Sequence, residues 1–203
     1  DGNGLALMQR KRQMSSSIIA FKSDRHDLEE GEYDSSLPDA KFEAFNTILK
    51  EVVNTNKKKI IVFSFFTNTL LYLKARLEEK GYGVEIIYGD IKDRTERIDK
   101  FKNNTRIQVL LSSEVGSEGL DLQFCDALVN YDLPWNPMVV EQRIGRIDRV
   151  GQLSSIINIY NLIIEDTIEK RIYERLYERI NVFRESIGDL EEILGETESL
   201  GEL

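Results

Sequence analysis

Three polar side chains in the last third of the sequence share a spacing that suits a phosphate group. Gln142, Arg146 and Arg149 are separated by four and three residues, so on a continuous helix they would share one face. A guanidinium group offers a planar fork of donors and keeps its charge, which suits a polyphosphate. The alternative is a solvated basic face that forms only surface salt bridges. Arg143 falls on a different helical face and is predicted to tolerate alanine better.

A second polar segment, residues 112–121, combines hydroxyl side chains with Gly116 and Gly119 directly after an apolar run. Loops of this composition leave backbone N–H groups open to a phosphate or a ribose. An ordinary loop between a strand and a helix is the alternative, and for this segment taken alone it is the favoured interpretation.

The body of the chain alternates apolar runs with segments of helical periodicity. The runs predict five strands, at 60–63, 84–88, 107–111, 127–131 and 156–162. Asn136 and Pro137 are typical of the first residues of a helix, and Gly81 is typical of a helix end. Asp93 and Glu96 predict a capping box. Strands separated by such helices predict an α/β fold with a mainly parallel sheet, which binds ligands beyond the carboxyl ends of its strands.

The two ends of the chain differ from this body. Residues 6–21 can form a basic helix, and a charged stretch follows it. Apolar residues recur at helical spacing from 166 to 187, within a segment, 165–203, that carries 12 acidic and five basic residues. The predicted division is a leader, a body and a helical acidic extension, at 1–37, 38–165 and 166–203.

Composition limits the possible function classes. The net charge of −9 argues against a free-standing nucleic-acid-binding module, but the part before residue 165 carries only −2 and is not excluded from nucleic acid. No apolar run reaches the ~18 residues that span a bilayer, so no membrane partner is expected. The single cysteine, Cys125, is predicted to be a small buried residue and fits a reducing, cytoplasmic location. No His/Cys cluster predicts a metal site.

Taken together, these segments resemble the second RecA-like lobe of superfamily 2 nucleic-acid motors. The resemblance covers about residues 38–165 and implies a three-layer RecA-like domain, and 166–194 is similar to the helical extension of RapA-like proteins. Residues 132–137 and 149–152 resemble the Swi/Snf branch, most closely its bacterial RapA-like members. The other matching segments are motif IV at 60–66, motif V at 113–121 and motif VI, Q-x-x-G-R-x-x-R, at 142–149.

Motif VI of this family implies a catalytic role for three residues. Arg146 and Arg149 would be arginine fingers that reach the γ-phosphate of ATP held by the other lobe. Gln142 would orient one of them or a water bound to the phosphate.

The other motifs imply binding roles. Gly119 and Asp121 would face the nucleotide, and Ser64 and Ser113 would touch the nucleic-acid backbone. Glu118 stands where many members have arginine, and Asp121 where many Swi/Snf proteins have asparagine, so the substrate is open at this point.

Parts of an ATPase are missing from the sequence. It contains no G-x-x-x-x-G-K-[ST] loop and no Asp-Glu tetrad for magnesium, both of which phosphoryl transfer requires. ATP and Mg²⁺ would therefore be bound mainly by the N-terminal lobe of the same protein, and this chain alone is predicted not to hydrolyse ATP. The expected nucleic acid is double-stranded DNA. An RNA helicase lobe and a non-catalytic RecA-like binding module are the alternatives.

Overall fold

A five-stranded parallel sheet forms the centre of the computed structural model, which describes residues 2–89, 91–117, 119–167, 169–175 and 177–178. The strands are β1 Ile60–Phe63, β2 Val84–Ile87, β3 Val109–Ser112, β4 Ala127–Asn130 and β5 Asn158–Asn161. Their order is β2-β3-β1-β4-β5, and every neighbouring pair is parallel. The predicted α/β fold with a parallel sheet is confirmed.

Helices cover both faces of this sheet. They are α1 Gly2–Ser16, α2 Ile18–Lys22, α3 Arg25–Glu29, α4 Ala40–Leu49, which continues as a π-helix over Lys50–Thr55, α5 Thr67–Glu79, α6 Arg94–Asn103, α7 Glu114–Ser117 and α8 Pro137–Ile144. Alternate residues of β1 point to opposite faces. Ile60 and Val62 join the core beneath α4 and α5, whereas Ile61 and Phe63 join the core beneath α6. The result is the predicted three-layer domain.

Strand limits differ from the prediction where turns intervene. β3 begins at Val109, not at Ile107, because the Ile107 N–H bonds to the Asn104 carbonyl (3.1 Å) in a turn. β5 covers only 158–161 of the predicted 156–162, and its residues are only partly buried because it lies at the sheet edge.

Two helix ends test the capping predictions. α5 is closed as predicted, because Gly81 has a φ of +85° and its N–H bonds to Glu78 (2.9 Å). The capping box predicted at Asp93 is wrong. The Asp93 carboxylate makes no cap bond, since it accepts from Nε of Arg97 at 3.0 Å.

The leader differs from the single predicted helix. α1 ends at Ser16, and Ser17 caps a new helix, α2, by accepting a hydrogen bond from the Ala20 N–H (3.1 Å). Ile19 and Leu28 are buried in the same core cluster as the residues of α4. The leader therefore packs on the body, and a domain boundary at 37/38 stays a prediction.

The predicted C-terminal helix is described only at its start. Residues 169–175 and 177–178 are helical, and the rest of the predicted helix and extension lies outside the described residues. Ile172 is 1% exposed and packs on Leu133, next to Trp135. Among the described residues, no helix is long and apolar enough to cross a membrane.

Candidate functional site

Parallel strands bring the predicted functional segments to one edge of the sheet, the edge at which the strands have their carboxyl ends. β1, β3 and β4 are neighbours, and the segments that carry Ser64, Ser113 and Asp132 begin where these strands end. Ligands bind at this edge in open parallel sheets. The sheet therefore gathers motifs that are far apart in the sequence.

The segment with the predicted finger residues begins as a helix and ends as a series of turns. Asn136 caps α8 by accepting from the Met138 N–H (3.1 Å), and Pro137 is the first helical residue, as predicted. The expectation that one helix carries Gln142, Arg146 and Arg149 is wrong, because α8 ends at Ile144.

Two contacts explain this helix end. The Arg146 carbonyl accepts from the Leu122 N–H (3.1 Å), and the Ile147 side chain is completely buried against β1 and β4. Gln152 closes the turns, since its Nε2 donates to the Ile147 carbonyl (2.9 Å) and to the Cys125 carbonyl (3.0 Å). Anchoring in the core, not helical spacing, therefore fixes the position of Arg146.

The three predicted catalytic side chains are open to solvent, fully or in part. Gln142 and Arg149 are exposed, and Arg146 is partly exposed. Neither the Arg146 nor the Arg149 guanidinium forms a hydrogen bond or an ion pair with any residue that the structure describes. The backbone of Arg146 is joined to Leu122, the residue directly after the motif V segment.

The loop after β3 is more tightly packed than its composition indicated. The Gly116 N–H is not open to a ligand, because it donates to the buried Ser113 hydroxyl (3.1 Å). A Cβ on Gly116 would lie 2.5 Å from the Ile87 carbonyl oxygen, so the position needs glycine for close packing.

The end of this loop is open. Gly119 is exposed with a φ of +75°, and Asp121 is exposed with its carboxylate accepting from the Gln123 N–H (3.3 Å). Glu118, the predicted departure from the family pattern, lies outside the described residues.

Ser64 is completely buried after β1. Its hydroxyl donates to the Asp132 carboxylate and accepts from the Phe66 N–H (3.2 Å). The Phe65 N–H donates to the same carboxylate at 3.2 Å. Both predicted nucleic-acid contacts, Ser64 and Ser113, thus have hydroxyls bonded inside the chain, and their contact with nucleic acid stays a prediction.

Arg143, predicted to tolerate alanine better, is a buried residue whose guanidinium forms several hydrogen bonds. It is 1% exposed, and Nη2 donates to the Glu114 carboxylate at 2.6 Å. Nη1 donates to Oδ1 of Asn130 (2.6 Å) and to the Asp132 carbonyl (3.1 Å). Its guanidinium also lies 5.0 Å from the centre of the Phe65 ring. α8 turns Arg143 toward the sheet, so its burial and hydrogen bonds argue against the predicted tolerance to alanine.

A second buried ion pair lies beside it. Nζ of Lys41, in α4, is 2.5 and 2.7 Å from the carboxylate oxygens of Glu169 and 4.0 Å from Oδ1 of Asp132. Burial raises the pKa of Glu169 to about 7, although the Lys41 ammonium lowers it and favours the carboxylate. The helical segment at 169–175 is thereby fixed to the body, and no sequence pattern predicted this ion pair.

Trp135 and Cys125 both pack inside the fold. The Trp135 ring is partly buried against Leu133 and Ile172, with the Arg12 guanidinium 5.7 Å from its centre. Cys125 is buried, as predicted, and burial raises the pKa of its thiol to about 12, which disfavours the reactive thiolate.

The structure also contains a cleft that the motif segments do not line. A cleft of about 930 Å³ lies between α1 and residues 164–174, and neither predicted finger residue lines it. Within the part of the chain that the structure describes, no group of three His, Cys, Asp or Glu side chains could hold a metal ion.

Comparison with known proteins decides the family. Residues 40–151 match the helicase conserved C-terminal domain. The chain belongs to this family. The matched region runs from the start of α4 to the end of the turns after α8, so it contains the sheet edge, the motif V loop and the finger segment.

The most informative relatives are bacterial. The chain is similar to an uncharacterized ATP-dependent helicase, YqhH, of Bacillus subtilis (strain 168), with 41% identity over 152 residues, 73% of this chain and 27% of YqhH. It is 34% identical over 145 residues, 70% of this chain, to the RNA polymerase-associated protein RapA of Vibrio campbellii (strain ATCC BAA-1116), of which it spans 15%. The resemblance to RapA-like, Swi/Snf-type superfamily 2 proteins is confirmed.

A solved structure supports the fold of this helicase C-terminal domain. The crystal structure of the C-terminal part of the Fun30 ATPase domain matches with a TM-score of 0.66 and 30% identity, covering 70% of this chain and 46% of that one. The chain thus spans about a quarter or less of the length of the curated relatives described above.

Proposed function

We propose that this domain is the second lobe of an ATP-dependent nucleic-acid translocase and supplies arginine fingers to ATP bound on another lobe. Arg146 and Arg149 are the fingers, and Gln142 orients one of them or a phosphate-bound water. The proposed division of the chain is a leader at 1–37, the RecA-like domain at 38–165 and a helical extension at 166–203.

One observation carries this proposal. The Arg146 and Arg149 guanidiniums have no partner among the described residues, although the neighbouring Arg143 uses all its nitrogens within the fold. A guanidinium that is fixed by its backbone and left unpaired is available to a phosphate. Charge spreads over the transferred phosphoryl oxygens in the transition state, where such a group stabilises it.

The nucleotide lies between the two lobes in this proposal. Gly119 and Asp121 face it, supported by their exposure and by the Leu122–Arg146 bond that holds their loop beside the finger segment. The other lobe binds most of the ATP and the Mg²⁺, because this chain carries no phosphate-binding loop.

Nucleic acid, first of all double-stranded DNA, runs along the segments after β1 and β3. Ser64 and Ser113 are the proposed contacts there. Both hydroxyls are bonded inside the chain, so these side chains also hold the two segments in shape.

The test uses the full-length protein. We expect ATP turnover stimulated by duplex DNA, and we expect Arg149→Ala to lower that turnover by at least roughly a hundredfold with much less change in ATP affinity. Arg106→Ala, an exposed arginine outside the motifs, is the matched control. Stimulation by RNA alone would replace DNA by RNA in this proposal. Normal turnover in the Arg149 variant would leave a non-catalytic binding module as the function.

A further inference from the structure

A buried salt bridge connects two functional segments of this edge of the sheet. Arg143 lies in α8, one residue after Gln142, and Glu114 begins α7 in the motif V loop. Nη2 of Arg143 is 2.6 Å from Oε2 of Glu114, and Nε is 3.2 and 3.3 Å from the two carboxylate oxygens. The arginine side chain is 1% exposed and that of the glutamate 28%. The pair is therefore two-pronged, with a buried guanidinium and a partly exposed carboxylate, and two-pronged Arg–carboxylate bonds are among the strong ones.

The arginine end of this bridge leads to a proposed finger. The Arg143 carbonyl accepts from the Arg146 N–H at 3.1 Å, and the Arg146 carbonyl accepts from the Leu122 N–H at 3.1 Å. Arg146 is thus held on both sides of its own Cα. Any rotation of Arg143 moves the backbone from which the Arg146 side chain extends.

The glutamate end leads to the proposed nucleotide loop. Glu114 opens α7, and Gly116 in the same helix sits against the end of β2, where a Cβ would lie 2.5 Å from the Ile87 carbonyl oxygen. This close packing leaves α7 little freedom to move. The bridge therefore joins the finger segment to a part of the sheet that cannot easily shift.

We infer that Arg143 and Glu114 form a positioning pair, which sets the direction of the Arg146 finger and couples it to the Gly119–Asp121 loop. The inference rests on the proposed function of that site. Neither residue touches ATP in this account. They act through Arg146, so their loss lowers the rate of the chemical step and leaves the binding of ATP nearly unchanged.

The chemistry of the pair explains why arginine is needed. The three nitrogens of the Arg143 guanidinium serve Glu114, Asn130 and the Asp132 carbonyl together. A lysine keeps the charge but has a single nitrogen, so it cannot hold three partners in a fixed plane. Glutamine at position 114 keeps the shape of glutamate and removes its charge, which weakens the bridge with little effect on packing.

The first experiment measures ATP turnover in the full-length protein with duplex DNA. We expect Glu114→Gln to lower kcat about tenfold while KM for ATP changes less than about twofold, because misplacing a catalytic group by ~1 Å costs up to ~10²-fold. Arg143→Lys should have the same direction and a larger size. Arg97→Lys is the matched control, since Arg97 also holds two carboxylates, Asp93 at 3.0 Å and Glu85 at 3.5 Å, but lies in α6. It should leave kcat unchanged.

A double mutant separates positioning from general stability. If Glu114 acts through the finger, Glu114→Gln added to Arg146→Ala should lower kcat no further. Two fully multiplicative losses would overturn the inference, and so would an unchanged kcat in Glu114→Gln. A loss that appears equally in Arg97→Lys would overturn it as well, because it would reflect stability alone. A wild-type protein without ATP turnover would overturn the proposed function itself, and this inference with it.

Discussion

Arg143 and Arg146 are three residues apart but have opposite environments. Arg143 is 1% exposed and makes five hydrogen bonds, to Glu114, Asn130 and the Asp132 carbonyl. Arg146 is partly exposed, and its guanidinium has no hydrogen bond or ion pair to a described residue. One arginine belongs to the buried network, and the other extends from a backbone that this network holds.

We expect this difference to separate effects on stability from effects on catalysis within one short segment. A buried charge is costly unless it is paired, so Arg143 and its partners must form together or not at all. An unpaired surface guanidinium adds little to stability, but its donors remain available to a ligand. Substitutions in the two groups should therefore change different measured quantities.

The largest effect is expected on turnover. Arg146→Ala in the full-length protein should lower DNA-stimulated kcat by at least roughly a hundredfold, which is about 2.7 kcal/mol in the barrier. The thermal midpoint should stay within a few degrees, because the guanidinium has no partner among the described residues. Arg146→Lys should not restore the rate, since a point charge lacks the planar fork. Steady-state kinetics measures kcat, and thermal denaturation measures the midpoint. A near-normal kcat would show that Arg146 is not an arginine finger.

The next effect is expected on stability, and here the larger loss should come from Arg143. Arg143→Ala removes the guanidinium that bonds to Glu114, Asn130 and the buried Asp132 carbonyl, and it should lower the free energy of unfolding by ~3–5 kcal/mol. Arg149→Ala should change it by less than ~0.5 kcal/mol. Urea denaturation of the chain, followed by the fluorescence of its single tryptophan, Trp135, measures both. Equal losses in the two variants would erase the distinction between the two groups of arginines.

A similar contrast applies to the Lys41–Glu169 pair. Lys41→Met leaves a buried carboxylate without its ammonium and should cost ~3–5 kcal/mol, whereas Lys41→Met combined with Glu169→Leu should recover most of that loss. Denaturation curves of the two single variants and the double variant give the coupling. Strictly additive losses would mean that the pair does not act as a unit.

Gly116→Ala tests the packing that supports the motif V loop. The added methyl would meet the Ile87 carbonyl at 2.5 Å, and relieving that contact should cost ~1–3 kcal/mol. Gly4→Ala, in α1 with nothing within 4 Å of its Cβ, is the matched control and should not destabilise the chain. A Gly116 variant as stable as the wild type would show that α7 can move.

The smallest effect concerns pH. Burial raises the pKa of Glu169 from its ordinary value of 4.5 to about 7, against the lowering effect of Lys41. The folded state then binds this proton more tightly than the unfolded state, so stability falls as pH rises from about 4.5 to about 7. Glu169→Gln should remove this part of the slope, and Glu165→Gln, at an exposed pair with Lys170, should not. An unchanged slope in Glu169→Gln would assign the pH dependence to other groups.

The sequence by itself determined the fold class and the segments that form the site. Runs such as 60–63 predict strands covered on both sides, because every residue in them is apolar, and the structure buries all four. Motif order then fixed the family, and strand ends fixed the edge at which the segments meet. These signals are local, and each depends on only a few neighbouring residues.

Tertiary structure decided which side chains remain available. Periodicity placed Arg146 on a helix, but the buried Ile147 and the Leu122 N–H end that helix early. The same periodicity made Arg143 appear dispensable. Its partners, Glu114 and Asn130, are 29 and 13 residues away in sequence, so no local pattern reveals them. Lys41 and Glu169 are 128 residues apart, and no local pattern could pair them. Burial and ion pairing depend on the whole chain, so only the folded structure separates the buried, paired arginine from the partly exposed one.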